Sequence, residues 1–150
     1  MTAMPEGNAI VFCEGAFETP NGKTAHGLVR FTERYRILSV IDSQCAGADA
    51  GTLLDGTPKS IPVVATLEAA LQNAKDRNLE PTHLVVGLAP DGGRLPSAAR
   101  QDIIKAIEAG LHIDSGLHDF LSEDSELAAV AAAKGVVIRD VRKPPLRSQL

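Results

Sequence analysis

The chain has 150 residues and a mass of 15.8 kDa, near the modal size of one domain and long enough to bury a core without disulfide or metal staples. Hydrophobic residues make up 44% of it and charged residues 23%, which excludes disordered, collagen-like and disulfide-scaffold classes. A net charge of −4, no Trp, one Tyr and four Phe supply neither the positive field nor the stacking surface that nucleic acids require, so no nucleic-acid partner is expected.

In chain order, the apolar pattern predicts a first strand over 9–14, a loop opening at Gly15, and a helix over 24–32. A second strand over 37–42 ends on Asp42. Between 44 and 60, Gly47, Gly51, Gly56 and Pro58 are separated by small polar residues; this predicts a long loop with room for one helical turn, and such loops are commonly functional. A short strand over 62–65 precedes a helix over 67–75 with Thr66 as its N-cap. A strand over 84–89 leads to a helix over 97–109, with Ser97 as N-cap behind Pro96 and Gly110 as C-cap. A strand over 111–115, a helix over 125–134 between Ser125 and Gly135, and a strand over 136–141 complete the series.

The strand runs are continuous and rich in Val and Ile, the pattern of strands covered on both faces. The helices repeat apolar residues at helical spacing, as in Ile103, Ile104, Ile107 and Leu111. Regular alternation predicts a three-layer, doubly wound α/β fold of Rossmann-like type, with a mostly parallel six-stranded sheet in the order 3-2-1-4-5-6. One domain is expected over 1–143. Pro144-Pro145 bars helix and central strand, so 144–150 reads as a tail or the start of a linker. The chain is then either a small protein with a tail or one half of a longer one.

No apolar stretch approaches the roughly 18 residues needed to span a bilayer, and residues 1–6 lack the charged and apolar regions of a signal peptide. Cys13 and Cys45 each sit beside an apolar run, where free Cys packs as a small hydrophobe. A reduced, cytoplasmic protein with no membrane partner is the expectation.

In an open parallel sheet, ligands collect beyond the carboxyl ends of the strands where strand order reverses. The loops after the first, second, fourth and fifth strands should therefore meet in one crevice. The first, from Gly15 to Lys23-Thr24, ends in Gly-Lys-Thr at a helix start. It has six residues between Gly15 and Gly22 where a phosphate loop has four, and Phe17, Glu18 and Pro20 are unsuited to cradling phosphate. An anion site built from Lys23, Thr24 and the free N–H groups of the helix start survives, beside the plainer reading of Lys23 as a solvated residue. A dinucleotide fingerprint is poorly met, because Ala16-Phe17 follow Gly15 in place of a second glycine.

Asp42, a carboxylate ending an apolar run, can accept a ribose hydroxyl or cap the following turn. Arg94, behind Gly92-Gly93, can clamp a carboxylate or phosphate, or snorkel into water. His118 beside Asp119 is the first candidate for a general base. Ser115 lacks the glycine pattern of a nucleophile elbow and is retained as a crevice-lining ligand contact. His112, Asp114, His118 and Asp119 do not converge as metal ligands, so no metal is expected. The acids near Cys45 raise a thiol pKa, and it is not a candidate nucleophile. His26 and His83 read as packing or surface residues.

Taken together, Glu14-Gly15-Ala16-Phe17, Lys23-Thr24-Ala25 with Gly27-Leu28, Val40-Ile41-Asp42-Ser43, Ile61-Pro62-Val63-Val64-Ala65, Gly87-Leu88-Ala89-Pro90 with Gly93-Arg94-Leu95-Pro96, Ser115-Gly116-Leu117-His118 and Asp140-Val141-Arg142-Lys143-Pro144-Pro145 resemble the N-terminal half of a two-domain bacterial family. That family, formerly of unknown function, includes D-glutamate N-acetyltransferase. The resemblance implies a Rossmann-like first domain followed by a second, P-loop domain that this sequence lacks, and acetyl-CoA and a D-amino acid as substrates.

The leading expectation is a domain whose crevice binds an anionic nucleotide, CoA or amino-acid carboxylate for an N-acetyl transfer of the D-glutamate type, with His118 as base and Arg94 as clamp. Activity would require the P-loop domain in cis or in trans, and self-association into a homo-oligomer is expected. The alternative is a non-catalytic interaction or oligomerisation module of a P-loop NTPase-like protein. Nicotinamide redox chemistry is a weaker third reading.

Overall fold

The computed structural model describes residues 7–18, 23–31, 35–87, 97–115 and 121–140. Its strands are β1 (Gly7–Phe12), β2 (Tyr35–Ile41), β3 (Val63–Val64), β4 (His83–Val86), β5 (His112–Ser115) and β6 (Ile138–Asp140). The helices are α1 (Lys23–Phe31), α2 (Ala50–Asp55), α3 (Leu67–Asp76), α4 (Ser97–Glu108) and α5 (Ser125–Lys134), with 3₁₀ turns at Ser43–Cys45 and Leu121–Glu123. All six strands are parallel, in the order β3-β2-β1-β4-β5-β6. The predicted order and class are those observed.

The layers follow from handedness. Right-handed crossovers put α1 and α2 on one face of the sheet and α3, α4 and α5 on the other; α1 packs with α2, α3 with α4, and α4 with α5. Residues alternate along each strand accordingly. Leu84, Val86 and Ile113 are buried in one core with Leu111 and with Ile103, Ile107 and Leu127 of the helical layer, while Ala9, Tyr35 and Val85 form a smaller cluster with Leu28 and Ile37 on the opposite face.

The caps explain the helix ends. Thr66 Oγ1 accepts the Ala69 amide at 3.0 Å, as predicted, and α3 buries Leu67, Ala70 and Ala74 at helical spacing. Gly135 ends α5 at φ 70°, the left-handed conformation that favours glycine. One expectation is corrected and one refined. Asp124, not Ser125, caps α5, because its carboxylate accepts two amides, from Glu126 and Leu127. The segment 44–60, predicted as a long loop with room for one helical turn, holds a helix of six residues, α2, which begins after Asp49 as N-cap and ends at Gly56 in the left-handed region.

Strand order reverses between β1 and β4, so the position where this fold places its ligand crevice lies beyond Phe12 and Val86. Gly87 is essential to that junction. A Cβ there would lie 2.9 Å from Val11 Cγ1 and 3.0 Å from Ala25 Cβ. Its absence lets α1 approach until the Ala25 amide donates to the Gly87 carbonyl at 3.2 Å, the close helix–strand approach for which this fold uses glycine.

Candidate functional site

The loop leaving β1 is held by Asp42 at the end of β2. The Asp42 carboxylate is 1% exposed. Its Oδ1 accepts the amides of Gly15 at 3.1 Å and Gln44 at 3.0 Å, and its Oδ2 accepts that of Phe17 at 3.0 Å. Glu14 adds a second link, accepting the Ser43 amide at 3.1 Å and the Ser43 hydroxyl. His26 of α1 closes the loop from the other side: its Nε2 hydrogen-bonds the Phe17 carbonyl, and its ring meets the buried Phe17 ring edge-on at 5.3 Å. Gly15, at φ 73°, supplies the left-handed residue this turn needs.

This geometry bears on ligand class. In dinucleotide-binding domains the amides of this loop face a pyrophosphate. Here two of those amides, Gly15 and Phe17, already donate to an internal carboxylate. Asp42, considered from sequence as a ribose acceptor or a turn cap, has the contacts of a cap that spans two loops.

The far side of the crevice repeats the device. Asp140 ends β6 and accepts the amides of Leu121 at 2.8 Å and Ser122 at 3.0 Å, fixing the 3₁₀ turn that follows β5. Ser115, buried at the end of β5, lies in register between Val86 of β4 and Asp140. Gly15, Asp42 and Ser115 thus all stand at the carboxyl rim of the sheet. α1 opens at Lys23 on the same rim; the side chains of Lys23 and Thr24 lie outside the described residues, as do Arg94 and His118 altogether.

The thiols near this rim are inert at neutral pH. Burial, and then the charge of Asp42, push Cys13 up to about 12. Burial, followed by Asp42 and Glu18, does the same to Cys45. Neither holds thiolate, in accord with the exclusion of Cys45 as nucleophile. No group of His, Cys, Asp and Glu among the described residues is arranged to hold a metal ion.

Asp140 and Glu14, present in the sequence motifs, were not singled out as site residues. His26, read from sequence as a packing or surface residue, packs on Phe17; its hydrogen bond to a main-chain carbonyl leaves no sequence signal.

Residues 43–144 match a family described as a domain of unknown function, DUF1611_N, a Rossmann-like domain. The chain belongs to this family. A crystal structure of a DUF1611 family protein from Anabaena variabilis matches with a TM-score of 0.80 and 31% identity, covering 94% of this chain and 38% of that one. D-glutamate N-acetyltransferase of Tritonibacter scottomollicae is 36% identical over 80 residues, which are 53% of this chain and 23% of that protein. The chain therefore spans well under half the length of these two relatives. A homoserine dehydrogenase from Thiobacillus denitrificans, 21% identical with a TM-score of 0.52 over 89% of this chain and 28% of that one, shares the fold. No helix among the described residues of this DUF1611_N chain is long and apolar enough to cross a membrane.

Proposed function

We propose that this chain is the ligand-binding N-terminal domain of a D-glutamate-type N-acetyltransferase, contributing one wall of a site completed by a P-loop domain in cis or in trans. The observation that carries the reading is the 36% identity over 80 residues with D-glutamate N-acetyltransferase. The rim supports it by its form: turns after β1 and β5, far apart in sequence, are each fixed by a buried aspartate on the neighbouring strand. Such preorganisation suits a domain whose task is to orient an amine and an acyl donor.

In this proposal the ligand is an anion, the phosphates of acetyl-CoA or the carboxylate of the amino acid. With the Gly15 and Phe17 amides already donating to Asp42, the anion is held from the start of α1 by Lys23 and Thr24, with Arg94 as carboxylate clamp and Ser115 lining the floor. Gly15 and Asp42 shape the wall. His118 is the base that keeps the attacking amine unprotonated.

Calorimetric titration of the chain with acetyl-CoA, D-glutamate and ATP, alongside a size measurement, tests the proposal. Saturable heat from acetyl-CoA or D-glutamate is expected. A stable oligomer silent to all three would overturn the proposal and favour the interaction-module alternative.

A further inference from the structure

β3 forms one edge of the sheet. Its outer side is covered by the segment after β2, where the Gly47 amide donates to the Val63 carbonyl at 2.9 Å and the Val63 amide to the Ala48 carbonyl at 2.9 Å. On the inner side the ladder with β2 lacks one donor. The Val40 amide donates to the Pro62 carbonyl at 3.0 Å, so in this parallel register the Leu38 carbonyl faces the main-chain nitrogen of residue 62, and proline has no N–H. Arg77, at the carboxyl end of α3, supplies it: Nη1 donates to the Leu38 carbonyl at 3.1 Å and to Asn73 Oδ1 at 3.1 Å.

Those two bonds use both hydrogens of Nη1 and fix the plane of the guanidinium. Nε and Nη2, the edge with which arginine grips a carboxylate or phosphate through two parallel bonds, donate to no atom of the described residues. Arg77 lines a cavity of about 390 Å³ with Gly47, Ala48, Asp49, Ser60 and Pro62. The acid of this lining is engaged elsewhere. Asp49 Oδ1 accepts the Ile61 amide at 2.8 Å, and Oδ2 accepts the amides of Thr52 at 2.9 Å and Lys59 at 3.0 Å and the Thr52 hydroxyl at 3.2 Å. Four donors on two oxygens leave it no place for Arg77. Ser60, exposed and held at φ 59°, adds a hydroxyl with no partner among the described residues.

We propose that this cavity is a binding site for an oxyanion, a carboxylate or phosphate group, gripped by Nε–H and Nη2–H of Arg77 with the Ser60 hydroxyl as a further donor. The repair of the ladder at Pro62 accounts for Nη1 alone; the remaining edge is the one suited to an anion. Charge-assisted bonds to an oxyanion are the strong class of hydrogen bond, and a guanidinium already held by Leu38 and Asn73 loses little freedom on binding. The Asp49 charge opposes the anion and makes the site a weak one. The volume suits a small anion with several waters, given about 30 Å³ per water. The site is independent of the acetyl-transfer proposal, standing at the β3 edge and not at the β1–β4 junction.

The test follows the Arg77 Nε–Hε signal and the Gly47 and Ala48 amides by NMR while chloride is replaced by phosphate or by acetate at constant ionic strength, so that screening does not change. Saturable shifts are expected. Saturation by acetate identifies a carboxylate ligand and saturation by phosphate alone a phosphoryl ligand, and either supports the site. In Arg77→Gln the amide shifts should need about tenfold or more anion, as for loss of a charged hydrogen bond. That variant also weakens the donor to Leu38, and Ser60→Asp keeps the test sound if it fails to fold. Aspartate tolerates the left-handed backbone of this exposed position and places a competing carboxylate in the lining, so saturation should weaken there too. A linear drift without saturation, or saturation unchanged in Ser60→Asp, would overturn the site.

Discussion

Three main-chain amides converge on the buried Asp42 carboxylate, and an alanine in its place leaves all three without an acceptor. Each unsatisfied buried donor costs about 1–3 kcal/mol, and water reaches part of this turn. Asp42→Ala is therefore expected to lower stability by about 3 kcal/mol, read as a reduced urea midpoint at unchanged slope. Asp42→Asn should lose less, because the amide oxygen still accepts while its NH₂ faces a donor. Equal midpoints for wild type and both variants would remove Asp42 from its place as the anchor of the crevice wall. After burial, the same carboxylate also raises the neighbouring thiols. With Cys13 and Cys45 pushed up to about 12 by burial and then by Asp42, less than about one thiol in a thousand is ionised at pH 8, against a free-thiol pKa of about 8.5. Iodoacetamide at that pH should label neither residue appreciably until the chain is unfolded in urea, as counted by mass spectrometry. Labelling of Cys45 in the folded chain at the rate of a free thiol would contradict the environment described for it.

Between elements, Asp124 couples α4 to α5. It caps α5 through the Glu126 and Leu127 amides and accepts Arg100 of α4 through both oxygens, with Nη2 at 2.7 Å. The Arg100 guanidinium, aided by those amides, holds the Asp124 carboxyl down to about 2. An unfolded aspartate titrates near 3.9, so the folded group is the stronger acid. The stability it contributes is complete above about pH 4 and is lost as pH falls toward 2. Urea midpoints measured from pH 5 to pH 2 should decline less in Asp124→Asn than in wild type over that interval, and parallel curves would refute the coupling. Gly87→Ala tests the β1–β4–α1 junction. Its Cβ has nowhere to go between Val11 and Ala25, and a loss of about 1–3 kcal/mol is expected from overpacking, measured by thermal unfolding. Element boundaries show what the sequence could and could not convey. Thr66 and Gly135 were legible because caps are local chemistry. Asp124 was passed over for Ser125 since both are cap-forming types; in the fold Asp124 also holds Arg100, 24 positions away. β1 starts at Gly7, earlier than its apolar run, because the Asn8 amide is tied to Thr82 Oγ1 at 2.9 Å. α2 has six residues, too few for a period to show, and its cap Asp49 also accepts the amides of Lys59 and Ile61, contacts made only after the loop has folded back.

At the scale of the molecule, strand order was readable because alternation and handedness leave few topologies, and the crevice followed from that order. A polar group elsewhere on the sheet was not readable: Tyr35, Asp114 and Arg139 stand 79 and 104 positions apart where they meet, and only the closed sheet aligns them. The β1 turn carries the prediction that best separates this domain from dinucleotide-binding domains of the same fold. Overall shape is shared with a dehydrogenase, so shape alone cannot select the ligand; the amides at the β1 turn can. With Gly15 and Phe17 donating to Asp42, a dinucleotide pyrophosphate would have to displace a buried carboxylate from its hydrogen bonds before gaining any of its own. NAD should therefore leave the melting temperature unchanged. Under the acetyl-transfer proposal, acetyl-CoA or D-glutamate should raise it. At a hundredfold excess over its dissociation constant a ligand adds about 2.7 kcal/mol, which for a domain of this size is roughly 5–10 °C. The comparison is made by thermal shift with each ligand titrated separately. An NAD-induced rise equal to that of acetyl-CoA would mean that the β1 turn rearranges to release its amides, and the crevice would then belong to a dinucleotide after all.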